Sequence, residues 1–326
     1  MIGSVQVTRL GLGGTSLGGL FEPTPEDSAY RTVARAYELG IRFFDTAPLY
    51  GYGSSERRLG HAIGSLPRAT VTVATKVGRL LRDTTLPGAS YDIDTTIFCN
   101  GEPLYKDTGR EVPIWDFSYD GALRSLEESL VRLDVDHVDL VHVHDPDDHL
   151  DEAISGACQA LIDLRDQGII GAVGVGIDHS RPAARFVRES DIDCVLIAGR
   201  WTLLDHEALD ELLPLALNEG VKVIACGVFN SGVLASDNAD ATFDYAPAPP
   251  EIRQRVQRMA LVCRRHGVPL KAAALQFAYR HPAVAAVLVG TRSPERLEEC
   301  VALSEVAIPE ELWSDLSEEC HVPLLQ

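Results

Sequence analysis

The chain lacks several features that would mark other protein classes. Its seven cysteines, Cys99, Cys158, Cys194, Cys226, Cys263, Cys300 and Cys320, form no CxxC pair and are odd in number, so reduced thiols are the simplest reading. Two methionines and 6% aromatic residues give no sign of an adaptable interaction surface. Basic charge is scarce, with 29 Lys and Arg against 48 Asp and Glu and a formal net charge of −19. A phosphate-backbone partner needs the opposite balance, so no nucleic acid is expected. No run of about 18 uncharged apolar residues occurs, and Met1 to Leu10 carries no basic segment followed by a long apolar one. A soluble, cytoplasmic protein without a membrane partner is expected.

What is present is ample material for a core: 326 residues, 45% of them apolar. Length alone allows two domains, yet α/β barrels often reach this size as one unit. Eight short apolar runs read as buried parallel strands: Leu10 to Gly14, Ile41 to Asp45, Val71 to Lys76, Val138 to His144, Gly171 to Gly176, Cys194 to Ala198, Val221 to Cys226 and Ala285 to Gly290. Helical stretches alternate with them, among them Pro25 to Leu39, Asp120 to Leu133, Leu150 to Gln167, His206 to Glu219 and Glu251 to His266. Gly40, Gly168, Gly220 and Gly267 each follow a helix as a left-handed stop. Eight βα units predict an α/β fold: a single (β/α)8 TIM barrel over 1–326, with a C-terminal helical segment and its chemistry on the loops after the strands. An open doubly wound sheet is the rival architecture. Its dinucleotide fingerprint fails, because Gly11-Leu-Gly-Gly-Thr-Ser16 and Gly174-Val-Gly-Ile-Asp-His179 both lack the third glycine.

One connection, 78–118, has no helical period over about 40 residues, which is unusual unless such a loop covers a site. Its aromatics Tyr91, Phe98, Tyr105, Trp115 and Phe117 fit either a self-packed loop or the wall of a substrate pocket.

Strand two runs into Asp45-Thr-Ala-Pro-Leu-Tyr50, strand three ends in Lys76, and strand four in His142-Val-His144. Barrel closure gathers such ends around one mouth, so a carboxylate, a phenol, an ammonium and an imidazole converge. An ammonium beside a phenol lowers the phenol's pKa, and a carboxylate anchors the ammonium. The group suits proton transfer at a carbonyl or hydroxyl.

These residues resemble the aldo-keto reductase superfamily. The motif is Phe44-Asp45-Thr-Ala-Pro-Leu-Tyr50-Gly51-Tyr-Gly53-Ser-Ser55-Glu56-Arg-Arg-Leu-Gly60, then Thr75-Lys76, then Asp139-Leu-Val-His-Val-His144. The resemblance implies a catalytic tetrad of Asp45, Tyr50, Lys76 and His144, NAD or NADP across the barrel mouth, and no metal. Within the superfamily the chain is most similar to the sugar-oxidising branch of L-fucose and D-threo-aldose 1-dehydrogenases, with pyridoxal 4-dehydrogenase nearby. Lys76-Val-Gly-Arg-Leu-Leu81, His144-Asp-Pro-Asp147, Gly199-Arg-Trp-Thr-Leu-Leu-Asp205 and Asn230-Ser-Gly232 carry that similarity. The implied substrate is a small carbonyl compound or sugar, touched by Tyr50, Trp115, His144 and Trp201.

Cofactor contacts carry over to Gly14, Thr15, Asp45, Gly176, Asp178 and Arg200, to Cys226, Gly227, Phe229 and Asn230, and to Gly290, Thr291, Arg292, Arg296 and Glu299. The end of strand eight matches the family's adenosine-phosphate loop, where helix-start N–H groups favour an anion. Its usual Lys is Gly290 here, with Arg292 and Arg296 as candidates to replace it, so NAD is slightly favoured over NADP. Three further positions depart from the family: Gly176-Ile177 replaces Ser-Asn, Ala198 replaces Gln, and Cys226 replaces the stacking aromatic. Arg200 and Trp201 are candidates to take over the lost contacts.

Two other readings remain open. His142 and His144 share one strand face beside Asp145, Asp147, Asp148 and His149, as in a metal-dependent hydrolase, although such a site does not need Lys76 or Tyr50. A cofactor-binding regulatory subunit that docks through its acidic surface is the other.

Overall fold

The computed structural model describes residues 1–85, 91–95, 98–99, 102–106, 108–235, 242–244 and 246–325. Eight parallel strands close into a barrel: β1 (Leu10–Gly13), β2 (Phe43–Asp45), β3 (Thr72–Val77), β4 (Leu140–His144), β5 (Ala172–Ile177), β6 (Cys194–Ala198), β7 (Lys222–Cys226) and β8 (Val284–Gly290). Neighbours in sequence are neighbours in space, and β1 closes onto β8 with Leu10 opposite Val287 and Gly13 opposite Gly290. The fold is therefore the (β/α)8 barrel, and every expected strand lies within two residues of an observed one.

Strand parity decides which side chains face inward. Phe43, Ala74, Leu140, Ala172, Cys194, Leu196, Ile224, Ala286 and Leu288 pack together with Ile2 and Val5, filling the lower barrel. The alternate residues Phe44, Val73, Val141, Val143, Val173 and Val175 join the larger layer shared with the helices. By the same alternation Asp45, Lys76, His142 and His144 point inward above the apolar layers, so the polar groups sit at the carboxyl end of the barrel.

Gly40, Gly168, Gly220 and Gly267 all have positive φ, as expected of helix stops. The expected helix His206 to Glu219 is instead two pieces, Glu207–Asp210 and Leu212–Glu219. Pro214 has no N–H for the preceding turn, which breaks the helix at Glu211. The expected helix Leu150 to Gln167 widens into a π-helical turn over Ala153–Cys158. There the Ala157 N–H leaves the helix ladder and donates to the Phe117 carbonyl at 2.8 Å.

The long connection is not structureless. Arg79–Arg82 pairs antiparallel with Val112–Trp115, and Phe98–Cys99 with Glu102–Pro103. Pro87 and other residues of this loop, and the side chains of Phe98 and Cys99, lie outside the described residues. The other six cysteines are free thiols. Among the described residues no helix is long and apolar enough to cross a membrane.

Helix Ser54–Ile63 lies against the end of helix Tyr119–Leu133 at a very close crossing: a Cβ on Gly60 would stand 2.0 Å from the Leu133 carbonyl oxygen. Backbone cannot yield there as a side chain can. Gly60→Ala should therefore cost about 2–3 kcal/mol of stability by overpacking, measured by urea denaturation; a loss under about 0.5 kcal/mol would mean that the two helices separate freely.

Candidate active site

Lys76, inward on β3, is fully buried and donates to Asp45 Oδ1 on β2 at 2.5 Å and to the Thr46 carbonyl at 3.0 Å. Neither charge reaches water, so each makes the other tolerable. Burial raises the Asp45 pKa and the Lys76 charge works against that rise. Tyr50 lies above, with the Lys76 ammonium 4.7 Å from its ring centroid. The His144 ring meets it edge-on, with centroids 5.6 Å apart. The four residues expected to converge are thus in one place.

Local chain geometry aims Tyr50. Gly51 has φ +64°, and the backbones of Gly18 and Gly51 pass so closely that a Cβ on either would overlap the other strand of chain. Below them Ser55 Oγ donates to the Gly14 carbonyl at 2.8 Å and the Gly14 N–H to the Asp45 carbonyl at 2.7 Å. Glu56, fully buried, accepts from Thr75 Oγ1 at 2.8 Å and from Arg132 at 2.5 Å. That link ties the motif helix to the strand carrying Lys76.

One electrostatic expectation is corrected. The ammonium was expected to lower the Tyr50 pKa, but burial and then the Asp45 charge hold the phenol well above the usual tyrosine value. Lys76 has its charge matched at short range by Asp45 and faces the Tyr50 ring. Burial, then the cations Arg79 and Lys76, keeps His144 neutral. His142 lies deeper, with both ring nitrogens buried and unpartnered among the described residues, and burial lowers its pKa as well. Among the described residues no group of three or more His, Cys, Asp or Glu side chains comes together as a metal site.

Residues 9–319 match the family model described as the aldo/keto reductase family. This chain belongs to the aldo/keto reductase family. It is an NAD(P)-dependent oxidoreductase. This aldo/keto reductase is 39% identical to D-threo-aldose 1-dehydrogenase of a Pseudomonas species, over 97% of its own length and 95% of that protein's. It is 40% identical to pyridoxal 4-dehydrogenase of Microbacterium luteolum, over 96% and 94%. In fold it is similar to a glycerol dehydrogenase from Gluconobacter oxydans, with TM-score 0.77 and 23% identity over 99% and 96% of the two chains.

Several features of the reductase fit a nucleotide. Among the described residues Asp45 Oδ2 and Asn230 Oδ1 are buried acceptors without partners, and Asn230 and Ser231 hold left-handed backbone next to Gly227 at φ +64°. Gly290 faces Thr15, which a Cβ would approach to 3.1 Å, so β1 and β8 present little bulk there. Arg200 donates to the Asp178 carbonyl at 2.9 Å and pairs with Asp205 at 3.1 Å. Of the residues that follow β8, Arg292 is ion-paired with Glu22, Glu299 is taken by Lys271 at 2.8 Å, and exposed Arg296 makes no side-chain pair among the described residues.

Trp201 is a correction. Expected at the substrate, it is 1% exposed, packs on Phe277 at 4.7 Å and spends its indole N–H on the Ala278 carbonyl at 3.0 Å. It is core. Trp115 does stand at the mouth, stacked on Phe117 and lying 3.9 Å from the Arg79 guanidinium. Arg79 itself was missed by sequence reasoning. An Arg in an apolar run gives no hint of burial, and its carboxylate partner Asp94 comes from a segment with no period.

Lys76→Met leaves the Asp45 carboxylate buried without its cation and should cost about 3–5 kcal/mol. The double variant Lys76→Met/Asp45→Asn should recover at least half of that loss. Urea denaturation of the single and double variants tests the coupling; additive losses would refute it.

Proposed function

We propose that this aldo/keto reductase oxidises an aldose at its anomeric carbon, or runs the corresponding aldehyde or ketone reduction, with Tyr50 as the proton-transfer group. The observation that carries the reading is the convergence of Asp45, Tyr50, Lys76 and His144 at one barrel mouth. The similarity to D-threo-aldose 1-dehydrogenase supports the sugar assignment.

When bound, NAD(P) supplies the hydride acceptor or donor. Gly14, Thr15, Asn230, Gly290 and Thr291 would line the nucleotide, with Asp45 Oδ2 and Asn230 Oδ1 as acceptors for its N–H and O–H groups. Neutral His144 orients the substrate oxygen against Tyr50. In reduction the phenol gives its proton to the carbonyl oxygen; in oxidation the phenolate takes it from the hydroxyl. Asp45 keeps Lys76 beside the ring, where a charged ammonium favours the phenolate whenever the proton leaves. A phenol held above its usual pKa stays protonated at neutral pH, so the proton that reduction delivers is in place, while oxidation must first lose it and should quicken with rising pH.

The same reading makes the chain one catalytic unit in the cytoplasm, acting on a small carbonyl compound or sugar. Its net charge of −19 argues against nucleic acid. A panel of L-fucose, D-arabinose, L-galactose, pyridoxal and simple aldehydes, followed by nicotinamide absorbance with both nucleotides, tests the substrate class. Turnover of pyridoxal or simple aldehydes without any aldose would overturn the sugar assignment.

Tyr50→Phe keeps the ring and removes the proton. Its kcat should fall by about 10² to 10⁴, with nucleotide affinity little changed; a kcat within tenfold of wild type would mean that Tyr50 is not the acid.

NAD is the favoured nucleotide. The residue at the adenosine-phosphate loop is Gly290, and Arg292 is occupied by Glu22, donating also to the Glu22 carbonyl at 3.3 Å. A 2′-phosphate needs a free cation there, and exposed Arg296, unpaired among the described residues, lies in the first turn of the helix that follows. NAD should bind at least as well as NADP, and Arg292→Ala should change NAD affinity by less than about threefold, under roughly 0.7 kcal/mol. Titration with both nucleotides checks this; a tenfold loss confined to NADP would show that Arg292 leaves Glu22 to grip the phosphate.

A further inference from the structure

Among the carboxylates at the mouth, one without a part in proton transfer stands directly against His144. Asp145 follows His144 directly, at φ +43°, a left-handed conformation that is costly for a residue with a side chain and is kept only where the surroundings enforce it. The enforcement is visible. Its N–H donates to the Gly176 carbonyl of β5 at 2.8 Å, and its Oδ2 lies 3.3 Å from His144 Nε2 and 3.5 Å from Arg79 Nη2. Its Oδ1 takes no partner among the described residues and is not enclosed, since the side chain is 31% exposed.

Arg79 explains why the carboxylate stays. Its guanidinium is 1% exposed and every edge is used: Nε donates to buried Asp94 at 2.6 Å, Nη1 to the His144 carbonyl at 3.0 Å, and Nη2 faces Asp145. Trp115 covers its flat face. One cation therefore fixes the backbone of His144, the carboxylate beside it and the loop segment carrying Asp94. What remains is an aimed, open acceptor next to the group that orients the reacting oxygen. A site of that kind discriminates through hydrogen bonding, because an analogue lacking the matching hydroxyl leaves the acceptor desolvated and unpaired.

We propose that Asp145, held by Arg79, is a specificity-determining residue that accepts a hydrogen bond from the substrate hydroxyl next to the reacting carbon. The substrate class is then a 2-hydroxy aldose or a similar vicinal polyol, rather than an aldehyde with a bare hydrocarbon chain. This rests on the aldose reading above and narrows it.

D-Arabinose and 2-deoxy-D-ribose test it, because the second is the first without its C2 hydroxyl. Burial, then the Asp178 charge, raises the Asp145 pKa to about 7, so above that pH, where the carboxylate is ionised, wild type should favour D-arabinose in kcat/KM by at least about tenfold, as a charged hydrogen bond provides. Asp145→Ala should bring that ratio to within about threefold of unity, mainly through KM for D-arabinose. Asp145→Asn, which keeps a neutral acceptor, should fall between. Nucleotide titration reports folding of each variant, and if Asp145→Ala binds no nucleotide the isosteric Asp145→Asn carries the comparison. An unchanged ratio overturns the proposal, including the case where both sugars slow equally, since Asp145 would then act only through His144. If wild type turns over carbonyl compounds but no aldose, the sugar assignment itself fails and this proposal with it.

Discussion

Two opposite charges buried 2.5 Å apart, Lys76 on β3 and Asp45 on β2, form the constraint around which the upper barrel is arranged. A lone ammonium or carboxylate inside an apolar barrel would shed its charge or draw in water. As a pair they can remain ionised, and they then fix what may surround them. The neighbouring inward positions are the small Gly176 and the neutral His142 and His144, while larger apolar side chains are confined to the layers beneath. Tyr50 completes the arrangement by covering the ammonium with its ring. Tyr50 and the buried groups around it are therefore arranged by one electrostatic requirement.

Two further buried ion pairs occupy the same sector. Glu56 with Arg132 locks the motif helix to helix Tyr119–Leu133, and Arg79 with Asp94 locks the long connection to the barrel mouth. Buried pairs of this kind add little net stability compared with apolar packing, but removing one partner is costly, so they specify a geometry strongly. Here the geometry specified is that of β3 and β4, the two strands that carry Lys76 and His144. The opposite sector, around β1 and β8, has small residues and left-handed turns instead, which suits an extended ligand lying against backbone.

Charge is also managed at the rim. Arg292, the cation nearest the adenosine-phosphate loop, is matched by Glu22 across the mouth, and Lys271 is matched by Glu299. In a chain with 19 more acidic than basic groups, carboxylates are at hand to neutralise such rim cations.

The sequence by itself determined the barrel and which four side chains, Asp45, Tyr50, Lys76 and His144, meet at its mouth. Eight apolar runs of strand length, alternating with helices stopped by Gly40, Gly168, Gly220 and Gly267, carry the architecture locally. Asp45, Lys76 and His144 stand at strand ends, where period-two alternation and barrel closure suffice to bring them together. Tertiary structure alone decided the rest, because it depends on partners far apart in the chain. Trp201 looks like a stacking residue until Phe277 and the Ala278 carbonyl claim it. Arg79 looks like a surface residue until buried Asp94 and the His144 carbonyl accept from it. The Tyr50 phenol is raised, not lowered, because desolvation counts every neighbour in three dimensions, whereas a sequence motif names only one or two.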